Sequence, residues 1–294
     1  MKHFASRTAL AASLTLGFAA APFAIAQPAA VDEDVAATPT ALAELLGPGG
    51  IDAAQYDFYL SMQMPGQGSG VMHWHTALED NHLVFSMTQA MNDGEMTSVQ
   101  SHVYTAEGAF VRSSNRTESS DFKSAETTVR QDDKVAVVSS YTFGGDAGEP
   151  EEAVHDYQRV EDTIPTAWLP LAFAYHLRAG HEQFIVRMTD SVTGEMPFVQ
   201  VFLAENIGTE MITIGDEEYE AHVLMLAMSN EVDGEAVDAG VEQDQTMQMY
   251  VLADGSIARM HMEMEGMEMS AQRVTTEEAE AMIVGGDGAG GDDE

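Results

Sequence analysis

Residues 258–272 read ARMHMEMEGMEMSAQ, with methionine at every second position from 260 to 264. A period of two is typical of a β-strand, because successive side chains point to opposite faces. Met260, Met262 and Met264 therefore share one face, and His261 lies on the other. The methionines could hold a soft metal such as Cu(I), or they could form the inward face of a sheet. The opposite facing of His261 argues against a His–Met copper site on this strand.

The Asp254-Gly255 pair is a hairpin signal that places Met247 and Met249 on the same apolar face. Methionine is flexible, fills irregular space and is frequent on promiscuous binding surfaces. The row therefore fits a packed core, the lining of an apolar ligand cavity, or a soft-metal site. The candidate ligand-lining residues are Trp168, Phe173, Met247, Met249, Met260, Met262 and Met264.

Period-two alternation extends over most of residues 55–274 and predicts many antiparallel strands separated by turns. Residues 116–134 are polar and predict weak strands at best, and residues 144–152 predict an acidic loop. The segment TAWLPLAFAYHL (166–177) is apolar nearly all round and is followed by Gly180, which predicts a buried helix with a glycine stop. The expected fold is mainly β: a strongly curved antiparallel sheet, open or a half barrel, wrapped around one central apolar helix.

The same patterns predict the domain organisation. Residues 27–54 form a linker with a short helix, 55–274 a single antiparallel β domain, and 275–294 a short helix with a disordered acidic tail. Residues 1–26 have the three regions of a secretory signal peptide, with cleavage expected between Ala26 and Gln27. Their apolar run is shorter than a membrane span needs. We expect a periplasmic or secreted protein, and the lack of cysteine excludes a lipoprotein anchor, disulfides and thiol catalysis.

The chain is strongly acidic, with 49 Asp and Glu against 12 Lys and Arg and a net charge of −37. Such a field repels nucleic acid and anionic membrane surfaces, which excludes both classes of partner. The acidic residues are spread over most turns, which is typical of a solvated surface. A cationic partner is the alternative.

His73 and His75 flank Trp74 at the spacing that puts both imidazoles on one face of a strand. Two such histidines can chelate one metal ion if a neighbouring strand supplies a third ligand, for which His82 and His102 are candidates. The alternative is two polar residues on a solvent face, with Trp74 in the core.

The chain lacks the local motifs of a nucleophile elbow, a zinc protease helix or a phosphate-binding loop. We therefore expect no enzymatic activity and no cofactor. His176 and His181, at the end of the predicted helix, are interpreted as cap or surface residues.

The second half contains, in order, the apolar helix, then GDEEYEAHVL (215–224), MYVL (249–252) and ADGSIARM (253–260). Over residues 163–274 this order resembles bacterial periplasmic proteins of the lipoprotein-carrier-like superfamily and related periplasmic domains. That resemblance implies a strongly curved antiparallel sheet around helices, which often encloses an apolar cavity. It transfers no functional residue.

The leading functional hypothesis is a non-enzymatic secreted or periplasmic β domain that binds an apolar small molecule or envelope component in the concave face of its sheet. One alternative is a periplasmic copper-type metal binder that uses His73 and His75 or the methionine row. Another is a structural or adaptor protein whose acidic tail contacts a cationic partner. The sequence does not fix the oligomeric state.

Overall fold

A computed structural model describes residues 35–64, 68–91, 95–144, 146–193, 198–232, 235–236, 246–264 and 267–284. The predicted signal peptide, the turn at 92–94 and the acidic tail at 285–294 lie outside these residues. The described helices are α1 (Leu42–Leu46), α2 (Leu169–Ala179) and α3 (Thr276–Val284), with short 3-10 helices at Gly47–Ala54 and Thr166–Trp168. The strands are β1 (Ala36–Ala37), β2 (Tyr56–Met64), β3 (Gly68–Glu79), β4 (His82–Met91), β5 (Met96–Thr105), β6 (Phe110–Ser119), β7 (Phe122–Gln131), β8 (Lys134–Phe143), β9 (Asp146–Ala147), β10 (Glu151–Asp156), β11 (Gln183–Met188), β12 (Phe198–Ile214), β13 (Glu217–Val232), β14 (Glu235–Ala236), β15 (Thr246–Val251), β16 (Ile257–Met264) and β17 (Met267–Val274).

These strands form one open, curved sheet. From β2 to β8 each strand pairs antiparallel with the next. On the other side of β2 the order continues through β17, β16, β15, β13, β12 and β11. β10 pairs with β8 at one edge, and β1 adds parallel to β11 at the other. Two isolated bridges, Tyr157–Thr193 and Ile164–Met188, connect the chain after β10 to the β11 side. The predicted mainly β, open antiparallel architecture is confirmed.

Burial alternates along the central strands as the period-two pattern predicts. In β4 the apolar side chains of Leu83, Phe85, Met87 and Met91 are buried together with Gln89, and the residues that alternate with these five are more exposed. A side chain removed from water in this way stabilises the fold by about 1.5–3 kcal/mol. Most of the buried apolar side chains form one large core, and a second, smaller cluster consists of Ile212, Ala221, Val223, Tyr250, Leu252 and Ala258.

The predicted apolar helix is present as α2, with Pro170 in its first turn and Gly180 in the left-handed conformation at φ 72° as its stop. A Cβ on Gly255 would lie 1.8 Å from the Pro170 carbonyl oxygen, and one on Gly108 would lie 2.7 Å from the Trp168 ring. Gly108 and Gly255 belong to turns that join neighbouring antiparallel strands at the same end of the sheet. The described contacts therefore place α2 across that end, whereas the sequence predicts a central helix.

Part of the predicted linker contributes to the core. Leu42, Leu45 and Leu46 of α1 are buried, because their spacing of three and four residues puts them on one helix face. Thr38, just after β1, donates its hydroxyl hydrogen to the Ile185 carbonyl oxygen at 2.6 Å.

The polar segment 116–134 forms full strands, so its prediction as weak strands is wrong. β6 and β7 pair over seven residues from Arg112 to Glu118, and β7 and β8 over ten. The predicted loop at 144–152 likewise contains β9 and the start of β10. These strands are polar on both faces, so the alternation that reveals a half-buried strand is missing.

None of the described helices is long and apolar enough to cross a membrane.

Candidate functional site

The concave face of the sheet consists of two regions with different chemistry. The first, which we call the methionine half, is the inward face of β2–β4 and β15–β17. Across β15 and β16, Met247 pairs with Met262 and Met249 with Met260. Across β17, Ala271 pairs with Met260 and with Met62 of β2. Thioethers from several strands therefore meet on one face.

The structure places the predicted lining residues in the core. Met247, Met249, Met260, Met262, Trp168 and Phe173 are at most 4% exposed and belong to one cluster of packed side chains. None of them lines either of the two cavities described below. The side chain of Met264 lies outside the described residues. The described contacts are those of a packed core, and the lining of an apolar ligand cavity by these side chains stays a prediction.

His261 lies on the opposite face of β16 from the methionines, 3.8 Å from the Glu268 carboxylate. The sequence argument against a His–Met copper site on this strand therefore agrees with the geometry.

The second region, which we call the polar half, is the inward face of β5–β7, with Val137 of β8 beside Thr128 at its margin. Its border with the methionine half runs between β4 and β5, where Phe85 pairs with His102 and Met87 with Gln100. From there the inward positions are polar on successive strands. They are Ser98, Gln100, His102, Ser113, Asn115, Thr117, Glu126 and Thr128.

A cavity of about 490 Å³ opens over the polar half. Residues from the other edge of the sheet complete it, among them Met188 at the end of β11, Asp190 just after it and Gln200 of β12. The Thr166 backbone N–H donates to Asp190 Oδ1 at 3.0 Å, which ties the turn before α2 to this edge. The volume lies within the range of small-molecule sites, roughly 300–1,000 Å³.

Two polar atoms of the cavity wall are buried without a hydrogen-bond partner: His102 Nε2 and Asn115 Oδ1. The His102 ring is 4% exposed, with the Phe85 and Tyr104 rings at centroid distances of 5.9 and 6.3 Å. Burial lowers the pKa of His102, and the charge of Asp190 opposes that shift. The imidazole is therefore neutral at pH 7. Buried polar groups are almost always hydrogen-bonded, and the described residues supply no partner for these two atoms.

Sequence reasoning missed this cavity, although it considered His102 as a metal ligand. The signal that could have revealed it is the polar alternation of Ser98, Gln100 and His102, repeated in Ser113, Asn115 and Thr117. Read as the inward face of one sheet, the two rows describe a polar wall.

A separate cluster lies on the outward face of β2 and β3. It contains His73 and His75, as predicted, and Asp57 of β2, which sequence reasoning missed. His73 Nε2 lies 2.7 Å from Asp57 Oδ1, and His75 Nδ1 lies 3.9 Å from Asp57 Oδ2. The two other candidates are elsewhere. His82 contacts the Asp80 carbonyl oxygen, and His102 faces inward.

A third set of imidazoles lies at the end of α2, where His176 is fully buried, so its interpretation as a cap or surface residue is wrong. Its Nε2 lies 2.8 Å from Thr38 Oγ1, and its Nδ1 lies 2.9 Å from His181 Nδ1. Because the Thr38 hydroxyl donates to the Ile185 carbonyl oxygen, it accepts from His176 Nε2–H, and His181 Nδ1–H donates to His176 Nδ1. Burial and the neighbouring His181 lower the pKa of His176 from 6.5 to about 3.

No protein-family model and no curated protein matches the chain. Among solved structures it is similar to a beta-barrel-like protein of the domain of unknown function DUF1849 from Brucella abortus, at 13% identity and a TM-score of 0.46, covering 74% of this chain and 94% of that one. It is also similar to the hypothetical lipoprotein YmcC from Escherichia coli, at 6% identity and a TM-score of 0.27, covering 79% and 92%. Both neighbours are bacterial proteins, and at these scores the likeness carries no functional argument.

Proposed function

We propose that this protein is a secreted, non-catalytic binding domain that holds one small polar molecule in the polar half of its concave face. The observation that supports this most is a cavity of about 490 Å³ whose wall includes His102 and Asn115, two residues with buried polar atoms, Nε2 and Oδ1, that lack hydrogen-bond partners. Leaving such an atom unsatisfied costs about 1–3 kcal/mol. A ligand that hydrogen-bonds both atoms would recover that cost on binding.

The lining chemistry limits the class of ligand. It offers hydroxyl groups, side-chain amides, imidazoles and the carboxylates of Glu126 and Asp190, and the described lining residues include no lysine or arginine. Together with a net charge of −37, these carboxylates disfavour an anion. The ligand we propose is a neutral or cationic molecule rich in hydrogen-bonding groups.

This proposal changes the ligand expected from the sequence. The resemblance to lipoprotein-carrier-like proteins implies an apolar cavity, but the methionines that suggest one are packed in the core. The cavity of the polar half is lined mainly by polar side chains. An envelope component would therefore bind here through a polar group, and secretion through residues 1–26 belongs to the proposal.

Native mass spectrometry of protein purified from its own host tests the proposal. We expect one polar small molecule per chain, released on unfolding. The double variant His102→Phe, Asn115→Leu should purify without it. Ser101→Ala is the matched control, because Ser101 lies between Gln100 and His102 on β5 and points to the other face.

Two results would contradict the proposal. One is native protein with no bound molecule and a crystal structure showing only water at His102 and Asn115. The other is a bound apolar molecule that remains in the double variant, which would restore the apolar-ligand hypothesis.

A further inference from the structure

The outward face of β2 and β3 carries three side chains whose nitrogen and oxygen atoms converge. One ligand atom from each of Asp57, His73 and His75 lies within 4.8 Å of the other two. The two carboxylate oxygens of Asp57 are divided between the imidazoles, at 2.7 Å from His73 Nε2 and 3.9 Å from His75 Nδ1.

The sheet itself produces this arrangement. His73 and His75 are two residues apart on β3 and share a face, and Asp57 is the cross-strand partner of His75. Tyr59, the cross-strand partner of His73, stacks on its ring with centroids 4.1 Å apart. The position of His73 is therefore supported by a neighbouring ring as well as by its own strand.

We propose that Asp57, His73 and His75 form a binding site for one divalent cation of the Zn²⁺ type. Imidazole nitrogen and carboxylate oxygen are both common zinc ligands, and Zn–N and Zn–O bonds are about 2.0–2.2 Å long. A tetrahedral site then separates its ligand atoms by roughly 3.3 Å. The two N–O separations here, 2.7 and 3.9 Å, lie on either side of that value, so small side-chain rotations suffice to admit the ion.

Three protein ligands leave a fourth position for water or for a group of a partner molecule, as in open zinc sites. Asp57 also lines a groove of about 410 Å³ that runs to the segment before α3, including Arg273 and Thr275. The ion therefore has an open path from solvent. The net charge of −37 raises the local concentration of cations.

The site is independent of the proposed ligand in the polar half. Asp57, His73 and His75 lie on the outward face, whereas His102 and Asn115 line the concave face. It also differs from a copper site that uses thioethers, because the described methionines of β16 and β17 are on the inward face or in the core.

Isothermal titration of the full chain with ZnCl₂ tests the proposal, with excess CaCl₂ present to occupy surface carboxylates, which are hard ligands. We expect one zinc equivalent per chain. His73→Gln, His75→Gln and Asp57→Asn should each weaken binding at least tenfold, since even outer-shell changes cost roughly 10–100-fold. His82→Gln and His261→Gln are the matched controls and should leave the Kd unchanged.

Far-UV circular dichroism should show that all five variants keep the β signal, because the three ligands are half-buried or exposed. Co²⁺ provides a second measurement: tetrahedral coordination gives visible absorption bands that Asp57→Asn should remove or shift. The proposal is overturned if zinc binds without defined stoichiometry, or if the three ligand variants bind it as tightly as the two controls.

Discussion

The methionine half and the polar half of the concave face consist of neighbouring antiparallel strands of one sheet, but one half is packed and the other borders an open cavity. In the methionine half, Met249, Met260 and their neighbours pack against one another and become almost fully buried. In the polar half, the equivalent inward positions carry hydroxyls, amides and carboxylates around about 490 Å³ of open volume. The change from one half to the other occurs between two neighbouring strands, where Met87 of β4 pairs with Gln100 of β5.

The difference indicates a division of labour within one sheet. A packed apolar region can supply most of the stability of a domain, because buried apolar area dominates the folding free energy. In the polar half, His102 Nε2 and Asn115 Oδ1 lack partners beside an open cavity. The partnerless atoms of the methionine half, Trp74 Nε1, Thr76 Oγ1 and Gln89 Oε1, belong to residues that do not line that cavity. The two halves should therefore respond in opposite ways to loss of a native side chain.

The largest effect is expected in the methionine half. Met249→Ala should lower the free energy of unfolding by about 2–5 kcal/mol, because the side chain is 1% exposed and its removal leaves a cavity among packed neighbours. Urea denaturation of both proteins measures this difference.

Met211→Ala is the control for that substitution, because Met211 is 58% exposed. It should change the free energy of unfolding by no more than about 0.5 kcal/mol. If Met249→Ala changes the free energy of unfolding as little as Met211→Ala does, the methionine half is loosely packed. The contrast between a packed methionine half and an open polar half would then be wrong.

The two halves also differ in how far the sequence reveals them. Alternation of apolar and polar residues predicted the strands around Leu83, Phe85 and Met87, and the methionine run predicted a shared inward face. The same criterion predicted only weak strands over the end of β6 and over β7, because a strand that lines a polar cavity has no apolar face to detect. Burial of Leu42 in α1 was missed because a short helix gives no sign of what it packs against.

The candidate sites show a similar limit. Strand periodicity placed His73 and His75 on one face, but it could not name Asp57 as their neighbour, since that depends on the pairing register of β2 and β3. Likewise, the contact between Thr38 and His176 joins residues 138 positions apart. Local patterns in the sequence do not predict contacts between residues so far apart in the chain.

The two buried histidines extend the comparison. His176, at the packed end near α2, has partners at both ring nitrogens, and its pKa is lowered to about 3 by burial and by His181. Unfolded chains bind this proton below about pH 6.5, whereas the native protein does not until about pH 3. Stability should therefore fall as the pH falls through that window, by about 1.4 kcal/mol per pH unit.

A His176→Gln variant isolates this contribution from the many carboxyl groups. The free energy of unfolding of the wild type relative to the variant should drop by about 2 kcal/mol between pH 7.5 and pH 5, as measured by urea denaturation at each pH. Met211→Ala, which removes no ionisable group, should show no such trend. A pH-independent difference for His176→Gln would mean that the pKa of His176 is the same in the native and unfolded states.

The smallest effect on stability, and the sharpest contrast, is expected at His102. His102→Phe keeps an aromatic ring between Phe85 and Tyr104 and removes the unpartnered Nε2, so the free energy of unfolding should stay constant or rise by about 1 kcal/mol. Urea denaturation of ligand-free protein measures it, and native mass spectrometry of the same variant should show the bound molecule lost. A loss of several kcal/mol, similar to that expected for Met249→Ala, would show that His102 holds the fold together. The polar half would then be a second packed core and not a binding site. Replacing a residue that serves only binding leaves the ligand-free protein as stable or more stable, whereas replacing a packing residue destabilises it.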